Sequence, residues 1–347
     1  MKYGVWFVRL IFAAWMIPAG LNHFFPLFPQ PMGDQPLSKE LISALLDSHM
    51  FDMTKAVELL AGLSVLTGFY TPLMLVVCMP VSFCVWYWDT PLQGWGSSSA
   101  IFGWAVLVCN ALLCLAYLES YRAMLAPKAA ARGAKTLVLI GRVIFGAWML
   151  ASGANMLFGP FYPVPQGHEA LAAQLMTALV DSRLLYVAAG IQLMTGALIL
   201  AGVFVPLALC VVMPISVCAA FWAVILEHRP FGALVALATV ALGAVLMLAW
   251  IDAYKGLLRR RALALGEGPG QGENFDTLYA IPLGRVSPAQ FGAALVPLLA
   301  AFAFYYFQRL GGTGRFALLI LAYPAIVLVA RWAQGIGRSG PAMAGKT

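Results

Sequence analysis

Asn22, His23 and Glu58 stand at the ends of strongly apolar stretches. A histidine beside a carboxylate is a pair that can share a proton, hydrogen-bond a quinone oxygen or hold a cation. Neither residue lies near the middle of its stretch, so the plain reading is a wetted interfacial pair. The pair is not repeated within the chain: a later stretch keeps Asn22 as Asn155 but replaces His23 by Met156 and Glu58 by Gln192. The first copy is therefore the candidate ligand site.

Other charges do recur. Arg9 with Glu119 returns as Arg142 with Asp252, each arginine a turn or two into an apolar segment and each acid at the end of the fourth. An unpaired charge inside a bilayer costs about 2.5 to 3.5 kcal/mol even on the gentler scales, so two structural ion pairs, Arg9–Glu119 and Arg142–Asp252, are expected. Pro80 and Pro214 fall inside apolar segments, where each removes a hydrogen bond to the carbonyl four residues earlier, at Val76 and Cys210. Two bends that frame a cavity are expected there, with Ser82 and Ser216 helping to satisfy the backbone. Trp86, Tyr87, Trp88 and Trp95 on one side, and Trp6, Tyr121, Trp250 and Tyr254 on the other, fit interfacial belts.

Much chemistry has no motif here. The chain has no phosphate-binding loop, no dinucleotide fingerprint after a strand, no catalytic serine elbow, and no iron–sulfur or haem attachment spacing. Cys78, Cys84, Cys109, Cys114, Cys210 and Cys218 lie in apolar segments without a CxxC pair and read as packing residues. His49, near Asp47 and Asp52, and the separate His168 and His228 follow no metal-ligand spacing, so no metal site is expected. An enzyme without an encoded electron carrier is disfavoured; the expected ligand is a quinone or a lipid.

The elements that must position these residues are membrane spans. Of 347 residues, 62% are hydrophobic and only 10% charged, too little polar surface to cover a soluble globule. Apolar runs near 3–25, 72–87, 101–118, 137–158, 186–204, 206–226, 231–251, 291–307 and 316–329 mostly reach the roughly 20 residues a helix needs to cross a bilayer. A tenth, near 56–70, is short and holds Glu58. The expected fold is an all-α polytopic transmembrane bundle of about ten helices.

Lys and Arg set orientation. Arg122, Lys128, Arg132 and Lys135 follow the fourth span, and Lys255, Arg259, Arg260 and Arg261 the eighth, so both linkers are expected in the cytoplasm. The acidic loop 26–55 is then outside, and both termini are cytoplasmic. The net charge of +7 reads as this signal, with no nucleic-acid partner implied.

The chain also aligns with itself. VRLIFAAWMIPAGLNHFF lies over GRVIFGAWMLASGANMLF, and VVCMPVSFC over CVVMPISVC, at one register apart from a single inserted residue. Such coincidences indicate duplication of a four-span unit, inserted twice in the same direction. The expected boundaries are a first repeat over 1–127, a second over 128–262, a Gly-rich cytoplasmic linker over 263–288, a transmembrane hairpin over 289–333 and a tail over 334–347. Between the first two spans of each copy, LSKELISALLDSHMFD and HEALAAQLMTALVDSRLL place apolar residues at helical spacing, as an amphipathic lid or belt on the outer surface would.

The segment GLNHFFPLFPQP, followed by VELLAGLSVLTGFYTPLMLVVCMPVSF, resembles the DoxX-type membrane proteins over about the first 120 residues. Copy two keeps the layout and the proline but departs at the polar positions, and the terminal hairpin lies outside the family pattern. The resemblance implies a bacterial cytoplasmic membrane, a four-helix unit and association with membrane-linked redox work. The resulting expectation is a non-catalytic subunit that binds a quinone-like or other amphipathic molecule near the outer face, or docks a redox or other membrane protein. The alternatives are a small-solute transporter built from parallel repeats and a scaffold.

Overall fold

The computed structural model describes residues 2–159 and 161–265. All regular structure among them is helical. The Gly-rich linker, the hairpin expected over 289–333 and the tail lie outside the described residues.

Helix α1 (Lys2–Phe24) runs unbroken to the Phe25–Pro26 step. The Asn22 side chain closes its end, accepting the N–H groups of Leu27 (2.8 Å) and Phe28 (2.7 Å). Pro36 opens α2 (Pro36–Asp47), where a missing N–H costs nothing. Helix α3 (Met50–Thr67) ends on Gly68 in the left-handed region, the backbone state glycine adopts without strain. Pro72 opens α4 (Thr71–Tyr87), which continues into a π-helical turn, Trp88–Leu92. Ser97 caps α5 (Ser98–Ala116) by accepting from Ala100 N, and a short α6 (Leu118–Tyr121) follows.

The same order returns in α7 (Lys135–Phe158), α8 (Ala170–Asp181), α9 (Leu184–Ala201), α10 (Val205–Phe221), the π-helical turn Trp222–Leu226, α11 (Pro230–Ala249) and α12 (Ile251–Tyr254).

Helix α1 packs on α3, and α7 on α9, through small residues. A Cβ on Gly20 would lie 2.8 Å from Leu59 Cβ, and one on Gly196 would lie 2.5 Å from Leu150 N, so both positions need hydrogen alone. Helices α4 and α10 meet between the halves, and α2 packs on α8 through Leu41, Ala44, Ala172, Leu175 and Ala178. The Trp88 indole donates to Ser38 O and the Trp222 indole to Ala172 O, both at 3.0 Å, fastening α2 and α8 to the π-helical turns.

Among the described residues, seven helical stretches are long and apolar enough to cross a membrane: Tyr3–Phe24, Thr71–Leu92, Ser98–Ala116, Lys135–Phe158, Leu184–Ala201, Val205–Leu226 and Pro230–Ala249. Eight of the ten expected spans fall on described residues. The missing one is α3, whose Asp52, Lys55 and Glu58 make it too polar to count by composition.

Several side chains differ from expectation. Tyr121, Trp250 and Tyr254 are buried hydrogen-bond donors instead of belt residues: their polar atoms reach Pro72 O (3.1 Å), Ala129 O (3.0 Å) and Pro206 O (2.8 Å). The Pro72 and Pro206 carbonyls each have a second lone pair that a phenol can meet, and a buried phenol needs such an acceptor. Trp95 and Trp6 do stand exposed.

Candidate functional site

The repeated charges are partnered otherwise than expected. Arg9 donates from Nε (2.9 Å) and Nη2 (2.7 Å) to Val65 O, in the last turn of α3, and lies over the Trp6 ring. A guanidinium there meets carbonyls that the helix end leaves without intrahelical donors. Glu119 pairs with its neighbour Arg122 at 3.3 Å. Asp252 takes Arg132 (2.5 Å) and Lys255 (2.6 Å), which hold its carboxyl below the usual range. Arg142 lies against Gly202 as Arg9 lies against Gly68, the two glycines that end α9 and α3. The expected Arg9–Glu119 and Arg142–Asp252 pairs are thus replaced by arginines at helix ends and acids bound to loop cations: Arg122 and Lys255 lie three residues from their acids, and Arg132 reaches Asp252 from the segment before α7.

A cavity of about 2450 Å³ lies between the two halves. Trp15, Phe83, Pro80 and Cys84 line it from one half, and Met149, Met156, Pro214 and Cys218 from the other. Pro80 and Pro214 each sit within a continuous helix and face this space. Ser82 is buried and accepts from Asn110 Nδ2 at 2.8 Å, so its hydroxyl serves a neighbouring helix, while Ser216 donates to Val212 O.

Polar groups meet the cavity chiefly at the end bearing α2. Lys55 Nζ donates to Glu58 Oε2 at 2.7 Å, and the side chains are only 11% and 3% exposed. Lys55 also rests over the Phe51 ring, 4.8 Å from its centroid. Both residues line the cavity, as do Asn22 and the buried Asp89. The spacing of three along α3 places Lys55 and Glu58 on one helix face. Lys55 was missed in the sequence, although that spacing was its signal.

The three predicted residues separate. Glu58 sits in the cavity wall, bound to Lys55. Asn22 lines the space while its carbonyl oxygen closes the turn after α1; Asn155 Oδ1 likewise accepts Tyr162 N at 3.0 Å. A structural task thus accounts for an asparagine in both halves. His23 turns from the cavity to Asp52, with 2.7 Å between His23 Nε2 and Asp52 Oδ1, and its ring meets Phe24 and Phe51 edge-on. His49 Nδ1 approaches the other Asp52 oxygen at 3.2 Å. Burial pushes the Asp52 carboxyl up, but the hydrogen bonds of both histidines outweigh it and hold the group below the ordinary carboxylate range.

In the second half, the nearest comparable cluster serves a loop. Glu227 accepts the His168 N–H at 2.8 Å and pairs with the His168 ring and, at 3.5 Å, with Arg229. At the corresponding place Gln93 accepts the N–H groups of Asp34 (3.0 Å) and Gln35 (3.3 Å). Each half so fastens the segment leading into α2 or α8.

Comparison with family models, with curated proteins and with solved structures finds no match to this chain.

Proposed function

We propose that the protein is a non-catalytic membrane subunit that holds one amphipathic molecule, quinone-like in having a long apolar body and a small polar head, in the cavity between its halves. The observation that carries this reading is the cavity itself: about 2450 Å³, walled by aliphatic, aromatic and sulfur side chains, with one buried ion pair, Lys55–Glu58, at one end. An apolar tail fits that wall, and a head with hydrogen-bonding oxygens fits the pair. Buried charge is costly in hydrocarbon and tends to mark a site, and here Ala189 and Gln192 stand where the second half would need the pair.

The setting is a bacterial cytoplasmic membrane, as the resemblance of the first half to DoxX proteins implies. The chain is a tandem duplication of a four-span unit, with α3 and α9 as corresponding spans. The recurring element order, the matched indole and phenol bonds, and the single alignment register support the duplication. The basic segments 122–135 and 255–261 meet at the end opposite α2, which supports a cytoplasmic location for them and for both termini.

The test is purification of the full chain from bacterial membranes into nanodiscs, followed by mass spectrometry of extracted small molecules and photolabelling with a diazirine-bearing quinone. A near-stoichiometric amphipath and labels on both α4 and α10 are expected. A protein that is empty and unlabelled overturns the reading.

A second reading, small-solute transport, draws on Pro80 and Pro214, which face the cavity from the two helices that meet between the halves. It requires solute flux in liposomes that is lost on changing both prolines.

A further inference from the structure

His49, Asp52 and His23 form a continuous hydrogen-bonded string, with steps of 3.2 Å and 2.7 Å through the two oxygens of Asp52. Exposure falls along it: the side chains are 79%, 44% and 14% exposed. One turn further along α3 comes Lys55, and a turn beyond it Glu58, which ends the series in the cavity wall. Tying α1 to α3 would account for the His23–Asp52 bond alone. It gives no reason for the string to start in water and lead towards a buried carboxylate, nor for the second half to hold α7 on α9 with Met156 and Gln192 at the same places.

We propose that His49, Asp52 and His23 are a proton relay between water at the α2 end of the bundle and Glu58 at the cavity wall, serving a ligand whose head carries an exchangeable proton on a hydroxyl or carboxyl oxygen. For its ligand this rests on the cavity reading above; for its protons it stands on the string alone.

The transfer is acid–base throughout. A proton reaches Asp52, whose two oxygens face two histidines, and passes to Nε2 of His23. The imidazolium releases a proton from Nδ1, and the last step, to the Glu58 carboxylate with which His23 interacts electrostatically, requires a bridging water. No electrons move. The charged and titratable groups around Glu58 are Lys55 and Asp52 on α3, His23 on α1, Cys78 on α4 and Asp89 in the π-helical turn. Asp89 is a second carboxyl group close enough to interact with Lys55 when Glu58 takes the proton.

The experiment is a pH jump on the full chain in nanodiscs of phosphatidylcholine and phosphatidylglycerol, followed by time-resolved infrared spectroscopy. Glutamate carbon-13 labelling marks the carboxyl signal, and comparison with Glu58→Gln assigns it. His23→Gln and Asp52→Asn should each slow the appearance of the Glu58 signal at least tenfold while leaving its final amplitude unchanged. Equal rates in both variants and the unaltered protein, or no Glu58 signal in the unaltered protein, overturn the relay. Should His23→Gln fail to fold, Asp52→Asn decides, because that side chain is 44% exposed and its replacement is nearly isosteric. The signal needs no bound molecule, so an empty cavity and a missing relay are separately visible.

Discussion

The backbone N–H of Tyr70 donates to the carbonyl of Arg260 at 3.0 Å, and that of Phe204 donates to Pro127 at the same distance. Tyr70 and Phe204 are the left-handed residues just before α4 and α10, while Pro127 and Arg260 follow α6 and α12. Each half therefore closes a corner of the other. A second exchange lies beside it: Arg132 N reaches Ala249 O at 2.7 Å, and Leu265 N reaches Ala116 O at 2.8 Å.

Cutting the chain between Gly133 and Ala134 leaves all four of these bonds intact but makes them intermolecular. Fragments 1–133 and 134–347, coexpressed, are expected to copurify as a one-to-one complex with a melting temperature within a few degrees of the intact chain. Each fragment made alone should be degraded or aggregate. Native mass spectrometry of the pull-down checks this, and independent stability of the separate fragments would contradict it.

The Lys55–Glu58 pair calls for a double-mutant cycle. Removing one partner leaves a buried charge uncompensated, a loss of about 3 to 5 kcal/mol, whereas replacing both with apolar groups of similar volume is often close to neutral. Lys55→Met and Glu58→Met should each be strongly destabilising, and the double variant much less so. Thermal or denaturant unfolding in detergent gives the comparison. A double variant as unstable as the sum of its parts means that the two residues act independently.

These residues mark how far the sequence could be read. Spans were legible because lipid requires long apolar helices whatever their neighbours, and the recurrence of Asn22 as Asn155 was legible because it lies in the alignment. What failed was partner choice. Arg9 and Glu119 were expected to pair because both recur in the second copy, but Val65 O and Arg122 are the partners they meet, a choice that the pattern of residue types does not rank. Tyr121 and Tyr254 matched belt statistics, while their phenols answer carbonyls seen only after α4 and α10 are in place. The π-helical turns at Trp88 and Trp222 had no spacing signal either.

Close packing gives a prediction for the second half. Gly196 faces the backbone of Leu150, so any side chain forces α7 and α9 apart. Gly196→Leu should lose at least the 1 to 3 kcal/mol typical of an overfilled core. Gly190, on the same helix with open space around its Cα, should tolerate Ala with little change. Parallel thermal melts separate the two, and equal losses would show that the α7–α9 contact is not what limits stability.

Acid should release the segment before α8 and spare its counterpart before α2. Burial raises the Glu227 carboxyl, but the His168 N–H and ring outweigh it and keep the group below the ordinary glutamate range. A carboxylate lowered in the folded state adds stability above its unfolded value, about 4.3, and loses that contribution as pH falls through the folded value. Gln93, which fastens Asp34 and Gln35, does not titrate. Amide hydrogen exchange at His168, corrected for the intrinsic pH dependence, should accelerate severalfold once pH drops below about 4, while exchange at Asp34 and Gln35 keeps its protection. Glu227→Gln should give His168 the flat pH profile of the first half. Loss of protection in both segments together would point to global unfolding and remove Glu227 as the cause.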